Sequence, residues 1–557
     1  MFGVGTVNFF LCRFAQFKIN DLDNRLKYQN LHFFSKLVKA YLNHNESSLS
    51  LYSLFPTIEN FSKAIDYKSK QPINREVLVQ VLKKQYAHIS DAVFSIQNIE
   101  KLKEQNTFTI TTGHQLNLFT GPLYFIYKIV STIKLTHQLQ IQYPQYNFVP
   151  VYWMATEDHD WAEINHFHTS DKDQFYWENE VNYAVGTVPT KGLENVANEL
   201  KSIWESDVFG SELHSMFEKA YLNGLALSEA TRTIAHQLFG SYGLVILDAQ
   251  DSALKKSFIP IMKKELKQQS VFNEVTQTNH FLKENGFEIQ VNPREINLFY
   301  LTQNSRQRIL KEADSYRVNH TDLVFASHEI EAELESHPER FSPNVLMRPL
   351  YQESILPNLA YIGGGGEIAY WLQLKGIFDA FQIPFPMLVV RNSALWITDK
   401  QIRRLEKLGL TSSDMMLTAQ EISNLVIHLN EPSNKPDFQE FENQIKILLH
   451  PIENWAFQID PTLISGMKGI LQKQLNEWEH WEQKLQKSLK KKNSDALERA
   501  EKIRAELFPN ETLQERYLNF SVFYKDMGNE FIRQLWNEFD PLVFEFKILK
   551  LPTSTTY

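Results

Sequence analysis

Several short segments of this chain are continuously apolar, and this pattern constrains the fold more than any other feature. Four of them have the length and composition of buried β-strands: Phe148 to Met154, Leu244 to Leu247, Leu359 to Ile362 and Met387 to Val390. A strand with one exposed face alternates apolar and polar residues, whereas a strand covered on both faces is apolar throughout. The segments therefore predict a parallel sheet with helices packed on both faces.

A fifth strand is predicted at Thr107 to Thr111, where Gly113 breaks the pattern. A helical segment then opens at Gly121-Pro122 and extends to about Leu139, with its apolar residues on one face. Such a face is typical of a helix that packs on a sheet. Because helices separate several of the strands, we predict an α/β fold with a doubly wound, Rossmann-like parallel-sheet core.

The rest of the chain is predicted to form additional segments around this core. The predicted boundaries are an N-terminal extension over 1–30, a helical lead-in over 31–100, the core over 101–460, a coiled-coil hairpin over 461–510 and a helical segment that packs on the core over 511–557. Two stretches interrupt the core as insertions, at about 162–219 and about 273–340. The second insertion contains candidate meander strands at Phe287 to Val291 and at Leu298 to Leu301.

Seven-residue spacing is the basis for the predicted coiled coil. Apolar residues recur seven apart from Ile464 to Leu485, and a second apolar stripe extends from Ala496 to Leu507. We predict two antiparallel helices joined near Lys490-Lys491-Lys492, with the lysines forming a solvated tip. The apolar stripe, which includes Trp478, would be covered either by a second copy of the chain or by the chain's own core.

Composition restricts the partners of the chain. Lys and Arg number 57 against 66 Asp and Glu, a net charge of −9, so nucleic acid is not an expected partner. Cys12 is the single cysteine, which excludes an intrachain disulfide and fits a cytoplasmic location. No segment approaches the ~20 apolar residues of a membrane-spanning helix, so no membrane partner is expected.

The first polar cluster, Thr111-Thr112-Gly113-His114, follows the fifth strand and has the T-x-G-H pattern found in nucleotidyl transferases. Glycine allows the backbone to approach a phosphate, and histidine can donate a hydrogen bond to a developing negative charge. The alternative is a strand-ending turn with a hydrogen-bonded histidine.

The second cluster, Glu157-Asp158-His159-Asp160, follows the strand that ends at Met154. Consecutive ionisable groups at the carboxyl end of a strand suit a divalent-metal site or general acid–base catalysis. The alternative is a helix N-terminus capped by acidic residues. Asp248 has the equivalent position on another strand and would either orient a ligand hydroxyl or cap a helix.

The third cluster is the turn of four glycines, Gly363 to Gly366, with Glu367 after it. Its backbone N–H groups could hold a carboxylate or a phosphate, or the glycines could simply permit tight packing. Upstream, Asn344, Arg348 and Gln352 recur every four residues and form a candidate anion clamp, with a surface ion pair as the alternative. Pro349 argues against an unbroken helix there.

In order and spacing, these clusters resemble the BshC family, the cysteine-adding enzymes of bacillithiol biosynthesis. The resemblance rests on Thr112-Gly113-His114-Gln115, Thr120-Gly121-Pro122-Leu123-Tyr124, Tyr152 to Asp160, Arg348-Pro349-Leu350 and Tyr361 to Trp371, and it covers the chain from about residue 31. It implies a ligase that joins the carboxyl group of cysteine to the amine of glucosaminyl malate, the last step of bacillithiol synthesis. It also implies a Rossmann-like core with two connecting-peptide insertions and a homodimer formed through the coiled coil.

These observations together define the predicted site. Catalytic roles are predicted for His114, Gln115, Glu157, Asp158, His159 and Asp160. Substrate or nucleotide binding is predicted for Thr112, Gly113, Asp248, Asn344, Arg348, Gln352, Gly363, Gly364, Gly365, Gly366, Glu367, Tyr370 and Arg391.

Amide formation requires an activated carboxyl group, so ATP or another nucleotide is the candidate energy donor. The metal requirement stays open, and a zinc site would have to use His159, His166 or His168 with carboxylates. Two other functions remain as alternatives: a nucleotidyltransferase or metal-dependent hydrolase that uses the same site, and a coiled-coil scaffold without catalysis.

Overall fold

The structure is a computed structural model, and it describes residues 25–170, 172–432 and 437–552. Cys12 and most of the predicted N-terminal extension lie outside these residues. The strands are β1 (Arg25–Lys27), β2 (Thr107–His114), β3 (Asn147–Met154), β4 (His166–His168), β5 (Gln174–Tyr176), β6 (Val245–Asp248), β7 (Leu298–Thr302), β8 (Ser305–Glu312), β9 (Ser315–Val318), β10 (Val324–Ala326), β11 (Phe341–Pro343), β12 (Asn358–Gly363), β13 (Met387–Val390), β14 (Ser393–Ile397) and β15 (Glu545–Lys550).

The helices alternate with these strands in the first two thirds of the chain and predominate after β14. They are α1 (Lys36–Leu42), α2 (Glu46–Leu49), α3 (Asn60–Lys68), α4 (Arg75–Gln85), α5 (Val93–Lys101), α6 (Tyr124–Gln142), α7 (Trp161–Ile164), α8 (Glu194–Trp204), α9 (Gly210–Tyr221), α10 (Leu227–Phe239), α11 (Ser252–Lys256), α12 (Ile259–Gln268), α13 (Ser270–Glu284), α14 (Ser327–Ser336), α15 (Arg348–Ile355), α16 (Gly365–Leu372), α17 (Lys375–Phe381), α18 (Asp399–Glu406), α19 (Ala419–Leu429), α20 (Phe438–Ile459), α21 (Leu463–Lys492), α22 (Ser494–Leu507), α23 (Gln514–Tyr517), α24 (Ser521–Met527) and α25 (Asn529–Glu538).

The described chain forms two compact units. The core unit contains residues 25–395 and 512–547, and the helical unit contains the described residues of 396–511 and 548–552.

The central sheet of the core unit has five strands in the order β13-β12-β2-β3-β6, and every neighbouring pair is parallel. Counted along the chain from the β6 edge, the strands lie in the order three, two, one, four, five, which is the order of a Rossmann sheet. Every residue of β2, β12 and β13 is buried. The predicted parallel, Rossmann-like core is confirmed.

Strand β2 is longer than predicted. It continues through Gly113 to His114, which pair with Trp153 and Met154 of β3, so the predicted break at Gly113 is wrong. A Cβ atom on Gly113 would lie 3.1 Å from the hydroxyl of Tyr361. The glycine therefore makes room beside a large side chain and does not end the strand.

The second insertion forms an antiparallel sheet in the order β10-β9-β8-β7-β11. The strand predicted at Leu298 to Leu301 is confirmed as β7. The strand predicted at Phe287 to Val291 is wrong, since the backbone N–H groups of Gln290 and Val291 donate to the side chain of Gln373 and not to a neighbouring strand. The buried side chain of Gln373 thus takes the place of the neighbouring strand that the alternating pattern predicted.

The helical unit contains a long helical hairpin, but not the one predicted. Helix α21 continues through the three lysines to Lys492 and pairs with α20, which precedes it; the rings of Phe441 and Trp478 are 4.9 Å apart. Helix α22 instead packs on α18 and α19, where Arg504 donates to the carbonyls of Met415 and Leu417. The predicted pairing across the lysines is wrong because α21 packs along α20, which carries apolar residues of its own, while α22 packs elsewhere.

A buried ion pair attaches the helical lead-in to the core. Lys68 of α3 lies 2.9 Å from a carboxylate oxygen of Glu353, and both side chains are almost completely buried. Asn358, at the start of β12, donates to the other carboxylate oxygen.

We expect Lys68→Met to lower the free energy of unfolding by about 3–5 kcal/mol, because it leaves the Glu353 carboxylate buried without its counter-charge. The exposed Lys70 provides the matched control, and Lys70→Met should change stability little. Urea denaturation followed by tryptophan fluorescence measures both. Equal stability of the two variants would show that the buried pair does not hold the lead-in.

Candidate active site

A cleft of about 690 Å³ opens at the carboxyl ends of β2, β3 and β12. The order of the strands reverses between β2 and β12, and ligands of open α/β sheets bind in the crevice outside such a switch point. The first and third polar clusters lie at this point, because His114 is the last residue of β2 and Gly364 directly follows β12. The topology therefore brings together clusters that are 250 residues apart.

Twelve of the predicted site residues line the cleft. They are Gly113, His114, Gln115, Glu157, Asp158, Asn344, Arg348, Gly364, Gly366, Glu367, Tyr370 and Arg391.

The other predicted site residues do not line the cleft. Thr112 donates to the carbonyl of Ile362, and the buried Gln352 accepts from Arg348. Asp248 accepts from Thr156 at 2.6 Å. Gly363 and Gly365 pack against neighbouring side chains, while His159 and Asp160 are exposed.

His114 is buried between the rings of Tyr124 and Phe125. Burial, and after it the charge of Lys128, hold the pKa of the imidazole well below its ordinary value, so the ring is neutral at pH 7. A hydrogen bond with the backbone of Thr120 opposes that shift, and Nε2 has no hydrogen-bond partner in the part of the chain that the structure describes. Nε2 is thus the nitrogen available to a ligand.

Glu367 joins the glycine turn to the cation beside His114. One carboxylate oxygen accepts from the backbone N–H of Gly364 and lies 2.5 Å from Lys128, and the other accepts from the hydroxyl of Tyr361. Burial raises the pKa of Glu367, but the charge of Lys128 and these hydrogen bonds outweigh it, and the pKa lies below its usual range. Lys128 also donates to the carbonyl of Gly113, so one buried cation connects β2 with α16.

Arg348 opens α15 with Pro349 in the first turn, where the missing N–H of proline is tolerated. Its guanidinium lies 5.5–5.9 Å from the ring centres of Trp153, Tyr361 and Trp371. Asn344 does not share the helical face that the spacing predicted; its side-chain oxygen accepts from the backbone N–H groups that precede the helix. Arg348 and Gln352 alone keep the predicted four-residue contact.

Glu157 is held by groups that no sequence pattern placed near it. Lys255, which is fully buried, lies 2.6 Å from one of its carboxylate oxygens. The hydroxyl of Ser342 donates to the other oxygen and accepts from Nε of Arg306. The second insertion is thereby tied to the end of β3.

Asp158 lines the cleft beside Gln115. The side-chain amide of Gln115 donates to one carboxylate oxygen at 2.8 Å, and the backbone N–H of His159 donates to the other. Burial alone would raise the pKa of Asp158, but hydrogen bonds from His159 and Gln115 and the charge of Arg306 hold that pKa well below its usual range. Asp158 is therefore an anion at neutral pH and can attract a cationic ligand group.

The two remaining predicted histidines lie away from this cluster. His166 bonds to Asn165, and the ring of His168 stacks on that of Tyr517. In the described part of the chain, no three His, Cys, Asp or Glu side chains are grouped so that they could hold a metal ion. The zinc site considered from the sequence has no support in this arrangement.

Several cations of the cleft were missed by the sequence analysis: Lys128, Arg294, Arg306, Arg308 and Arg516. Lys128 lies in the middle of an apolar helix, and the others have no motif around them, so no local signal marks them. With Arg348 and Arg391 they make seven cations, against three carboxylates in the same lining. A chain with a net charge of −9 thus has a basic cleft, which is suited to an anionic ligand.

Comparison with known proteins gives matches over nearly the whole chain. The family models for "Bacillithiol biosynthesis BshC, N-terminal Rossmann-like domain" and for its C-terminal coiled-coil domain match residues 23–392 and 394–551. A protein of Flavobacterium johnsoniae named "Putative cysteine ligase BshC" is 47% identical over 94% of this chain and 99% of its own length. A protein of the same name from Christiangramia forsetii is 44% identical over 94% of this chain and 98% of its own.

One further property concerns the helices. None of those in the described ranges is both long enough and apolar enough to cross a membrane.

The low pKa of His114 predicts how the free energy of unfolding depends on pH. Above the pKa of about 6.5 that histidine has in an unfolded chain, both states are neutral at this residue and stability does not depend on its titration. Below it the unfolded chain takes up a proton that the folded chain does not, so the free energy of unfolding falls by up to about 1.4 kcal/mol per pH unit. We expect His114→Gln to weaken this fall between pH 7 and pH 5.5.

Urea denaturation of the variant and the wild type at several pH values measures the difference between them. His328→Gln removes an exposed histidine outside the cleft and the hairpin and should leave the fall unchanged. An identical pH dependence in His114→Gln and wild type would mean that His114 titrates normally in the folded state.

Proposed function

This chain belongs to the BshC family of bacillithiol biosynthesis and is a ligase, and we propose that it joins the carboxyl group of cysteine to the amine of glucosaminyl malate in the last step of that pathway. The observation that carries the proposal is the basic cleft at the switch point of the Rossmann sheet. Glucosaminyl malate carries two carboxylates and a nucleotide carries phosphates, so both are ligands that seven cations would favour.

We propose that ATP or another nucleotide activates the carboxyl group and that its phosphates lie at the glycine turn. The backbone of Gly364 and Gly366 lines the cleft at the N-terminus of α16, where the helix dipole favours an anion. Two buried nitrogen atoms near this turn, Nε2 of His114 and Nε of Arg391, have no hydrogen-bond partner within residues 25–170, 172–432 and 437–552. The latter lies 3.6 Å from the position of a Cβ on Gly364, so a phosphate or carboxyl oxygen bound there would accept a hydrogen bond from Nε of Arg391.

Asp158 and Glu157 are proposed to receive the amine. A glucosaminyl ammonium must lose a proton before it attacks a carbonyl carbon. A carboxylate whose pKa is held low stays anionic and can hold the ammonium in place, although it is a weak base toward that proton. Asp158 is the better placed of the two, since Lys255 already neutralises Glu157. His114 and Gln115 would contact the activated carboxyl or a phosphate.

The activity test is an incubation of the purified protein with cysteine, glucosaminyl malate and a nucleotide, followed by mass spectrometry of the amide product. We expect His114→Ala and Asp158→Asn each to lower kcat by about 10²–10⁴-fold while the protein stays folded, because each removes a group from the reacting centre. His328→Gln and Asp314→Asn replace exposed residues of the same types outside the cleft and should retain full activity.

Full activity of both cleft variants would reassign the two residues to structural roles. A wild-type protein that forms no amide with any nucleotide would argue for one of the other functions, since a nucleotidyltransferase, a hydrolase and a scaffold make no such product.

We also propose that the hairpin of α20 and α21 forms a homodimer. No residue of α21 is buried, and large apolar side chains on both helices are exposed, including Ile447, Leu448, Trp455 and Ile470. Leaving this area in water is unfavourable by roughly 25 cal/mol per Å², and a second copy of the hairpin would cover it.

We expect the wild type to have twice the mass of one chain by light scattering and Leu448→Glu/Ile470→Glu to have the mass of a monomer. Both side chains are more than half exposed in the single chain, so the changes should not unfold it. Ile203→Glu, an equally apolar but unrelated exposed position on α8, is the control and should remain dimeric. A monomeric wild type would remove the dimer proposal.

A further inference from the structure

The second insertion supplies the cleft with two arginines whose side chains have no partner among the described residues, and we infer that Arg294 and Arg308 bind the two carboxylates of the malyl group of the amine substrate. This inference rests on the proposed function, since it names the part of the substrate that this wall of the cleft recognises. The second insertion then selects the substrate, while the residues at the strand ends carry out the reaction.

Strand geometry places Arg308 on the cleft side of the insertion sheet. Residues two apart along a strand share a face, so Arg306 and Arg308 of β8 project from the same side. Arg308 pairs with Phe299 of β7, which also lines the cleft. Arg294 lies in the segment before β7 and lines the cleft as well.

Arg306 is fully committed to the protein. Its three nitrogens contact the hydroxyl of Ser342, the ring of His159 and the carbonyl of Pro343, and its guanidinium lies 3.9 Å from the ring centre of Phe299. It is also buried, and it is close enough to Glu157 and Asp158 for their charges to act on its pKa. Arg306 therefore fixes the wall and has little capacity left for a ligand.

Arg294 and Arg308 differ from Arg306 in both respects. Both are exposed, and neither side chain makes an ion pair or a hydrogen bond with any residue that the structure describes. The cations at the glycine turn are mostly used, because Lys128 pairs with Glu367 and Arg391 pairs with Glu515. The insertion wall thus offers two free positive charges. They belong to a different segment of the chain from the glycine turn that is proposed to bind phosphate.

Two free guanidinium groups match a dicarboxylate in number and in charge. Each guanidinium can hold one carboxylate through two parallel N–H···O bonds, so a malyl group would leave neither cation unpaired. A nucleotide phosphate could also bind arginines, but the proposed function already places the phosphates at the glycine turn, where Gly364 and Gly366 line the cleft. The carboxylates are therefore the assigned ligand, and phosphate is the alternative that the experiment separates.

The experiment uses the full chain with Arg294→Gln, Arg308→Gln and the double variant, in the amide-forming assay. We expect each single change to raise KM for glucosaminyl malate about tenfold, with kcat within about twofold and KM for the nucleotide unchanged, because each removes one charge-assisted pair. Arg317→Gln, on the neighbouring strand β9 and paired with Glu312, is the control and should change neither KM.

Calorimetry provides a readout that does not depend on turnover. Glucosaminyl malate and malate should bind the wild type, both should bind the double variant at least tenfold more weakly, and methyl glucosaminide, which lacks both carboxylates, should bind both proteins equally. If the protein forms no amide but shows this pattern, the proposed reaction fails and the dicarboxylate site stands. Unchanged binding of glucosaminyl malate to the double variant, or a rise in the nucleotide KM alone, would overturn the inference.

Discussion

Parallel pairing of β2 with β3 and β12 is the constraint on which the rest of the structure depends. Parallel strands end at the same edge of a sheet, so this pairing collects His114, Asp158 and Gly364 at one edge although they are far apart in the chain. Reversal of the strand order between β2 and β12 leaves a crevice there, because the following connections turn to opposite sides. The cleft is a consequence of topology before any side chain is considered.

Burying charge at that crevice imposes a second requirement. A buried cation without a partner is strongly unfavourable, and the structure meets this by pairing each of them with groups from another element. Lys128 joins α6 to Glu367 of α16, Lys255 joins α11 to Glu157, and Arg391 joins the end of β13 to Glu515. Since each pair spans two elements, the charges that shape the cleft also hold its walls together.

The sequence predicted the features that depend on local pattern. Continuous apolar runs identified β3, β6, β12 and β13, because a strand that is buried on both faces is apolar along its length. The glycine turn and the acidic cluster were found because several polar or small residues stand together after a strand. Glu367 and Asp158, which follow β12 and β3, both line the cleft.

Features that depend on distant partners were not predictable in this way. The local pattern predicts that the strand ends at Gly113. The glycine is needed instead because a Cβ there would collide with Tyr361, about 250 residues later in the chain. The segment up to Val291 alternates like a strand, but its N–H groups bond to Gln373. Lys128 looks like one polar residue in an apolar helix until Glu367 is placed beside it.

The same dependence on partners separates two kinds of charge in the cleft. A cation with a protein partner has its position set by folding, and its charge is already largely compensated before a ligand arrives. A cation without one, such as Arg308, has unsatisfied donors and gains most when an anion binds. Lys128, Lys255 and Arg306 therefore build the cleft, while the free guanidinium groups on the insertion wall are left to recognise what enters it. An insertion that carries such groups can change the preferred ligand without disturbing the sheet, because none of the buried pairs depends on them.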